Sequence, residues 1–157
     1  MEGEEDEGRR QRLVLHLVDP VVKLTFVSSS PHSLPPLAGL IVENGFTSID
    51  DMIDVLLVPI IPPLRYLKTL SVNKWPSVST ISTVSTPILF ISSGRDEIVP
   101  KTHMDILYEA SATSSPNRVF VRFPTATHMD AYSFEGYGRT LSSFIARPFF
   151  GGGKFTL

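Results

Sequence analysis

Cysteine is absent from all 157 residues. That absence excludes a disulfide framework, a cysteine nucleophile and a thiolate metal site, and it leaves the redox compartment open. A surplus of charge is missing too. Fourteen basic residues stand against sixteen acidic ones, for a net charge of -2, so no global field draws nucleic acid or anionic lipid, and no nucleic-acid partner is expected. Long apolar runs are also lacking. The longest, Ile53 to Leu64, carries Asp54 and three prolines and falls well short of the roughly 20 residues that a membrane helix needs. The start, MEGEEDEGRRQR, is acidic and then basic, without the apolar segment that follows a basic start in a signal peptide. It reads as a solvated tail on a chain expected to be soluble.

What is present suits a folded domain. With 42% hydrophobic and 19% charged residues, the chain should pack, and at this length a domain hides roughly 68–70% of its unfolded surface. Residues 13–18 and 21–27 are strand-like by β-branched content and partial alternation, split by Asp19-Pro20, and are expected to form a hairpin. SSSPHSLPP, Ser28 to Pro36, is a loop or linker by its serine and proline content. Residues 1–36 thus read as leader, tail and linker, and the closing GGGKFTL, within 147–157, as a second flexible tail.

Between them the pattern repeats. Leu37 to Val42, Thr86 to Ser92 and Asn117 to Phe123 are short apolar runs of the kind buried on both faces of a parallel sheet. Helices are expected after Ser48, where a hydroxyl cap precedes Asp50 and Asp51, and over Thr102 to Ala110 and Gly138 to Ala146. A further short helix is expected to open at Pro62. Strand and helix alternating three times imply an α/β fold with helices on the faces of a parallel sheet.

Chemistry in such sheets collects outside the carboxyl ends of the strands. Asp96, in ISSGRDEIVP, follows the second of these strands, and His128, in FPTATHMD, follows the third. An acid and a histidine on neighbouring strand ends, in that chain order, are the orienting and base members of a hydrolytic triad in α/β-hydrolases. Taken singly, each has a plainer reading, Asp96 as a turn former and His128 as a structural histidine. Asp50, Asp51 and Asp54 read as helix-terminal charge. His103-Met104-Asp105 and His128-Met129-Asp130 repeat one tripeptide; the first copy falls on an expected surface helix, and the repeat reads as coincidence rather than a metal site. Trp75 reads as a core or cap contact, and Lys101 as a solvated helix start. No cofactor and no metal are called for.

LAGLIVENGFTSIDDMIDVLL, KWPSVSTI, TPILFISSGRDEIVPKTHMDILYEA and FVRFPTATHMD together resemble the α/β-hydrolase superfamily. More narrowly, they resemble its bud-emergence (Bem-type) group, to which the wavy-growth proteins of plants and α/β-hydrolase domain-containing protein thirteen of animals belong. The resemblance covers 37–146 and implies the C-terminal half of the hydrolase domain. It implies a serine hydrolase of ester, thioester or other acyl bonds, on a small-molecule or lipid- or protein-acyl substrate, with Asp96 as triad acid and His128 as triad histidine. The family's serine sits in a G-x-S-x-G elbow upstream of the segment matching LAGLIVEN, and no such pattern occurs in these 157 residues. Ser28, Ser29 and Ser30 lie upstream but lack flanking glycines. Gly45 replaces a common threonine, and Ala126 a common glycine.

The chain is therefore expected to be catalytically incomplete, as a truncated, spliced or decayed hydrolase would be. The competing expectation is a non-catalytic pseudoenzyme or interaction module. In that case the strand at Leu40 offers its edge to a partner, unless residues 13–27 fold against it. The family is commonly membrane-anchored; the compartment of this chain is not legible in its sequence.

Overall fold

The apolar run after Pro87 forms the central strand of three parallel ones. In the computed structural model, which describes residues 12–18, 21–27, 37–63, 66 and 74–146, the strands are β1 (Arg12–Val18), β2 (Val21–Val27), β3 (Leu37–Glu43), β4 (Ile88–Ser93) and β5 (Arg118–Phe123). The helices are α1 (Ile49–Leu56), α2 (Ser77–Ile81), α3 (Thr102–Ala110) and α4 (Tyr137–Ile145). The expected Ser28–Pro36 linker and C-terminal GGGKFTL lie outside the described residues, and the helix expected from Pro62 lies partly outside them.

β3, β4 and β5 are parallel neighbours, with Val42 opposite Phe90 and Phe90 opposite Phe120. Every residue of β4 is buried, as a strand covered on both faces requires. Pro87 stands just before it, where no ladder donor is needed, and its carbonyl accepts from the Leu40 N–H at 2.9 Å. Alternation along β4 then sorts the core into two layers. Leu89 and Ile91 pack with Ile41, Phe123 and Phe144 beneath α4. Ile88 and Phe90 pack with Leu40, Val42, Ile81, Met104 and Leu107 beneath α2 and α3. Phe90 meets Tyr108 edge-on at 5.5 Å, and Arg118 lies 4.4 Å over the Tyr108 ring, a geometry in which a cation meets the negative ring face.

The expected hairpin joins this same sheet. β1 and β2 are antiparallel, β2 is antiparallel to β3, and the strand order runs β1-β2-β3-β4-β5. The edge of β3 that the sequence offers to a partner is therefore taken by β2. Since Val21 faces Val42 and Thr25 faces Leu37, β2 delivers the chain at Val27 to the amino edge of β3. Asp96 and His128 lie at the opposite, carboxyl edge, after β4 and β5.

Ser48 caps α1 as expected, its Oγ accepting from the Asp51 N–H at 3.1 Å. Helix α3 keeps its expected bounds, but it is no surface helix: His103, Met104 and Leu107 are buried in it. Helix α2 was not expected. Its five residues, SVSTI, are poor helix formers; the Thr80 and Ser79 hydroxyls both donate to the Pro76 carbonyl at 3.0 Å, and Ile81 is anchored in the core.

Candidate active site

Gly94 brings the exits of β4 and β5 together. Its N–H donates to the Phe123 carbonyl at 2.8 Å, and a Cβ in its place would lie 2.3 Å from the Pro124 carbonyl oxygen, so only glycine permits the approach. The next N–H, of Arg95, donates to the Ala126 carbonyl at 2.9 Å. The two loops, 94–100 and 124–130, are thereby laid side by side. Ala126 packs fully buried in the layer beneath α4 and has no positive φ, so the methyl that replaces a common glycine fits without strain.

Across that junction Asp96 Oδ2 stands 2.8 Å from His128 Nδ1. The acid side chain is 2% exposed and the imidazole 16%. The other carboxylate oxygen, Oδ1, accepts from the Ile98 N–H at 2.9 Å and the Val99 N–H at 2.8 Å. A carboxylate fixed by two backbone donors can offer its remaining oxygen to the imidazole only as an acceptor. Nδ1 then carries the proton, and Nε2 is left as the basic nitrogen. Both residues that the sequence selects are thus brought together, in contact and at the carboxyl edge.

The histidine is held by its backbone as well. Its N–H donates to Glu97 Oε2 at 3.2 Å, and its carbonyl accepts from Asn44 Nδ2 at 3.0 Å. Asp130 Oδ1 accepts from the Thr127 N–H at 2.6 Å, closing the turn in which His128 sits. Sequence reasoning passed over Asn44, which leaves β3 with φ 45°, a left-handed conformation that asparagine tolerates better than most residues. An asparagine directly after a buried strand run was the available signal.

The remaining candidates do other work. Asp50 pairs with Lys74 at 3.0 Å, and Asp51 accepts from the Ser48 and Thr47 hydroxyls. The two His-Met-Asp copies diverge. Asp105 pairs with Arg122 at 2.6 Å, whereas His103 sits with Nδ1 2.8 Å from Thr47 Oγ1 and accepts the Thr47 N–H at 3.3 Å. Burial lowers the pKa of His103 below the usual histidine value, partly opposed by the Asp51 charge. Tyr137, at the start of α4, donates to Glu43 Oε2 at 2.6 Å; burial first, then Glu43 as acceptor and as charge, push its phenol well above the usual value. Lys101 is exposed at the start of α3. Trp75 is 42% exposed, stacked on Phe46 with ring centroids 6.1 Å apart. The two border an apolar cavity of about 240 Å³ with Leu40, Val42, Ile81 and Leu107. Neither Asp96 nor His128 lines it, so this cavity does not serve the pair. Ser28, Ser29 and Ser30 lie outside the described residues.

No family model matches the chain. Individual proteins do. It is 35% identical over 122 residues to the α/β hydrolase domain-containing protein WAV2 of Arabidopsis thaliana, covering 71% of this chain and 39% of that protein. Over 113 residues it is 34% identical to the protein bem46 of Schizosaccharomyces pombe, covering 70% and 36%.

The chain is a relative of these α/β-hydrolase domain proteins. It spans little more than a third of their length. An uncharacterized membrane protein of Saccharomyces cerevisiae is 35% identical over 109 residues, covering 68% of this chain and 36% of that protein. Among the described residues here no helix is long and apolar enough to cross a membrane. The α/β-hydrolase fold itself recurs in solved structures. An esterase of Pyrococcus furiosus superposes with a TM-score of 0.51 at 15% identity, covering 75% of this chain and 46% of the esterase. An acylaminoacyl peptidase of Pyrococcus horikoshii gives 0.52 at 14% identity, covering 76% and 22%.

Proposed function

We propose that this chain carries the acid and the histidine of a serine-hydrolase centre for ester, thioester or other acyl bonds, and that its 157 residues do not carry the nucleophile. The observation behind the first half is the 2.8 Å contact between buried Asp96 and His128 at the carboxyl edge of a parallel sheet. In such a centre Nε2 takes a proton from a serine hydroxyl as that oxygen attacks the acyl carbon. Asp96 holds the imidazole in the right tautomer and stabilises the imidazolium that forms. The second half follows from the lack of any G-x-S-x-G in the sequence. Removing the nucleophile of a triad costs orders of magnitude in rate, so little or no esterase turnover is expected from this polypeptide.

A second reading, a non-catalytic pseudoenzyme, is favoured by one observation: an antiparallel strand, β2, flanks β3 and brings no strand-to-helix elbow to the carboxyl edge.

The pair is tested by imidazole nitrogen NMR on the full chain. In Asp96→Asn the amide oxygen stays with the Ile98 and Val99 N–H groups, which turns its NH₂ toward His128 Nδ1. Nδ1 must then accept, and the proton moves to Nε2. His128 is expected as the Nδ1–H tautomer in the parent and as Nε2–H in the variant; the same tautomer in both would sink the reading.

A further inference from the structure

We propose that Asn44 is the positioning residue of His128, an assignment that rests on the acid–histidine reading above. Asn44 is buried where β3 ends. Its Oδ1 accepts the Ser93 N–H at 2.7 Å, and its Nδ2 donates to Ser93 Oγ at 3.0 Å and to the His128 carbonyl at 3.0 Å. Three of the four hydrogen bonds open to a side-chain amide are made. A backbone N–H can only donate and a backbone carbonyl only accept, so the amide has one workable orientation.

One side chain therefore joins the carboxyl ends of β3 and β4 to the loop that follows β5. The other two ties on His128, from Asp96 Oδ2 to its ring and from Glu97 Oε2 to its N–H, both come from the single loop after β4. With those alone the imidazole would move wherever that loop moves. Asn44 supplies the independent third point, from β3, and so fixes where His128 presents Nε2 relative to the sheet edge. The residue type is dictated by this task. Aspartate has the shape but would set an oxygen against the His128 carbonyl. Leucine would leave the Ser93 N–H unpaired in a buried place. The backbone also leaves β3 at φ 45°, and asparagine combines tolerance of that conformation with an amide.

Two substitutions separate the amide from the backbone. Asn44→Asp keeps the shape and removes the donor; Asn44→Gly keeps the left-handed backbone and removes the whole amide. In the full chain the His128 Nδ1 proton is expected to exchange with water about tenfold faster in both variants, the loss of a net hydrogen bond of ordinary strength. Apart from Ser93, whose N–H loses its acceptor in Asn44→Gly, the amide resonances of β4 and β5 are expected to stay in place. Unchanged exchange in both variants overturns the assignment. Should both fail to fold, the parent alone decides. An Asn44 Nδ2 proton protected about a hundredfold over an exposed asparagine amide supports the clamp, and exchange at the exposed rate refutes it. Failure of the underlying reading looks different: there Asp96→Asn leaves the His128 tautomer unmoved. If Asp96→Asn shifts the tautomer while both Asn44 variants leave the Nδ1 proton's exchange unchanged, the assignment of Asn44 fails alone.

Discussion

At the scale of the residue, Gly94 and His103 each carry a consequence. A Cβ at position 94 meets backbone, not a side chain that could swing away, so Gly94→Ala must push the two site loops apart. It is expected to destabilise the fold by about 1–3 kcal/mol, toward the upper end, read as a lowered thermal midpoint; an unchanged midpoint would show that the loops are not so tightly apposed. His103 binds its proton less readily folded than unfolded, because burial disfavours the cation. The unfolded chain therefore takes up the proton first. The stability tied to neutral His103 is present above the ordinary histidine value and is lost as pH falls through it, levelling off below the depressed folded value. His103→Asn keeps an acceptor near the Thr47 N–H and cannot titrate, so its urea midpoint should fall less than the parent's between about pH 7.5 and about pH 5.5. Equal falls would contradict the role. Asp96 and His128 were legible in the sequence because strand ends in an α/β pattern point to them. Asn44 was marked only by its place after a buried strand run; its role was not legible, since its three partners, Ser93 N–H, Ser93 Oγ and the His128 carbonyl, lie 49 and 84 positions away.

At the scale of the element, capping and burial divide the work. Ser48 fixes the first turn of α1, and Ser48→Ala is expected to cost about 1 kcal/mol, measured by denaturant unfolding; a change near zero would mean that Asp51 alone holds the turn. The apolar runs of β3, β4 and β5 were readable since strands covered on both faces need unbroken apolar sequence. Bounds of α3 were readable from Pro100 and the periodic Met104, Leu107 and Tyr108, yet its buried His103 was not, because a histidine on a helix carries no mark of the distant Thr47 N–H that it accepts. Helix α2 escaped notice for the opposite reason: hydroxyl contacts to Pro76 and one buried isoleucine hold it, against its own propensities.

At the scale of the whole molecule, the hairpin closes the flank of the parallel sheet. Alternation predicts it as a hairpin, but nothing in residues 13–27 announces that β2 pairs with β3. Deleting residues 1–27 uncovers the β3 ladder, and unpaired edges recruit other chains. The shortened protein is expected to elute in size-exclusion chromatography as larger species than the full chain; an elution volume reporting a monomer would remove that role from the hairpin. The centre itself spans the same scale, with acid and histidine on adjacent loops and no elbow in the sequence. The most direct measurement of that claim is labelling of the purified full chain with a serine-directed fluorophosphonate, read by intact mass. No stoichiometric adduct is expected. One phosphonate per chain, abolished by His128→Ala, would show that a serine within these 157 residues completes the triad after all.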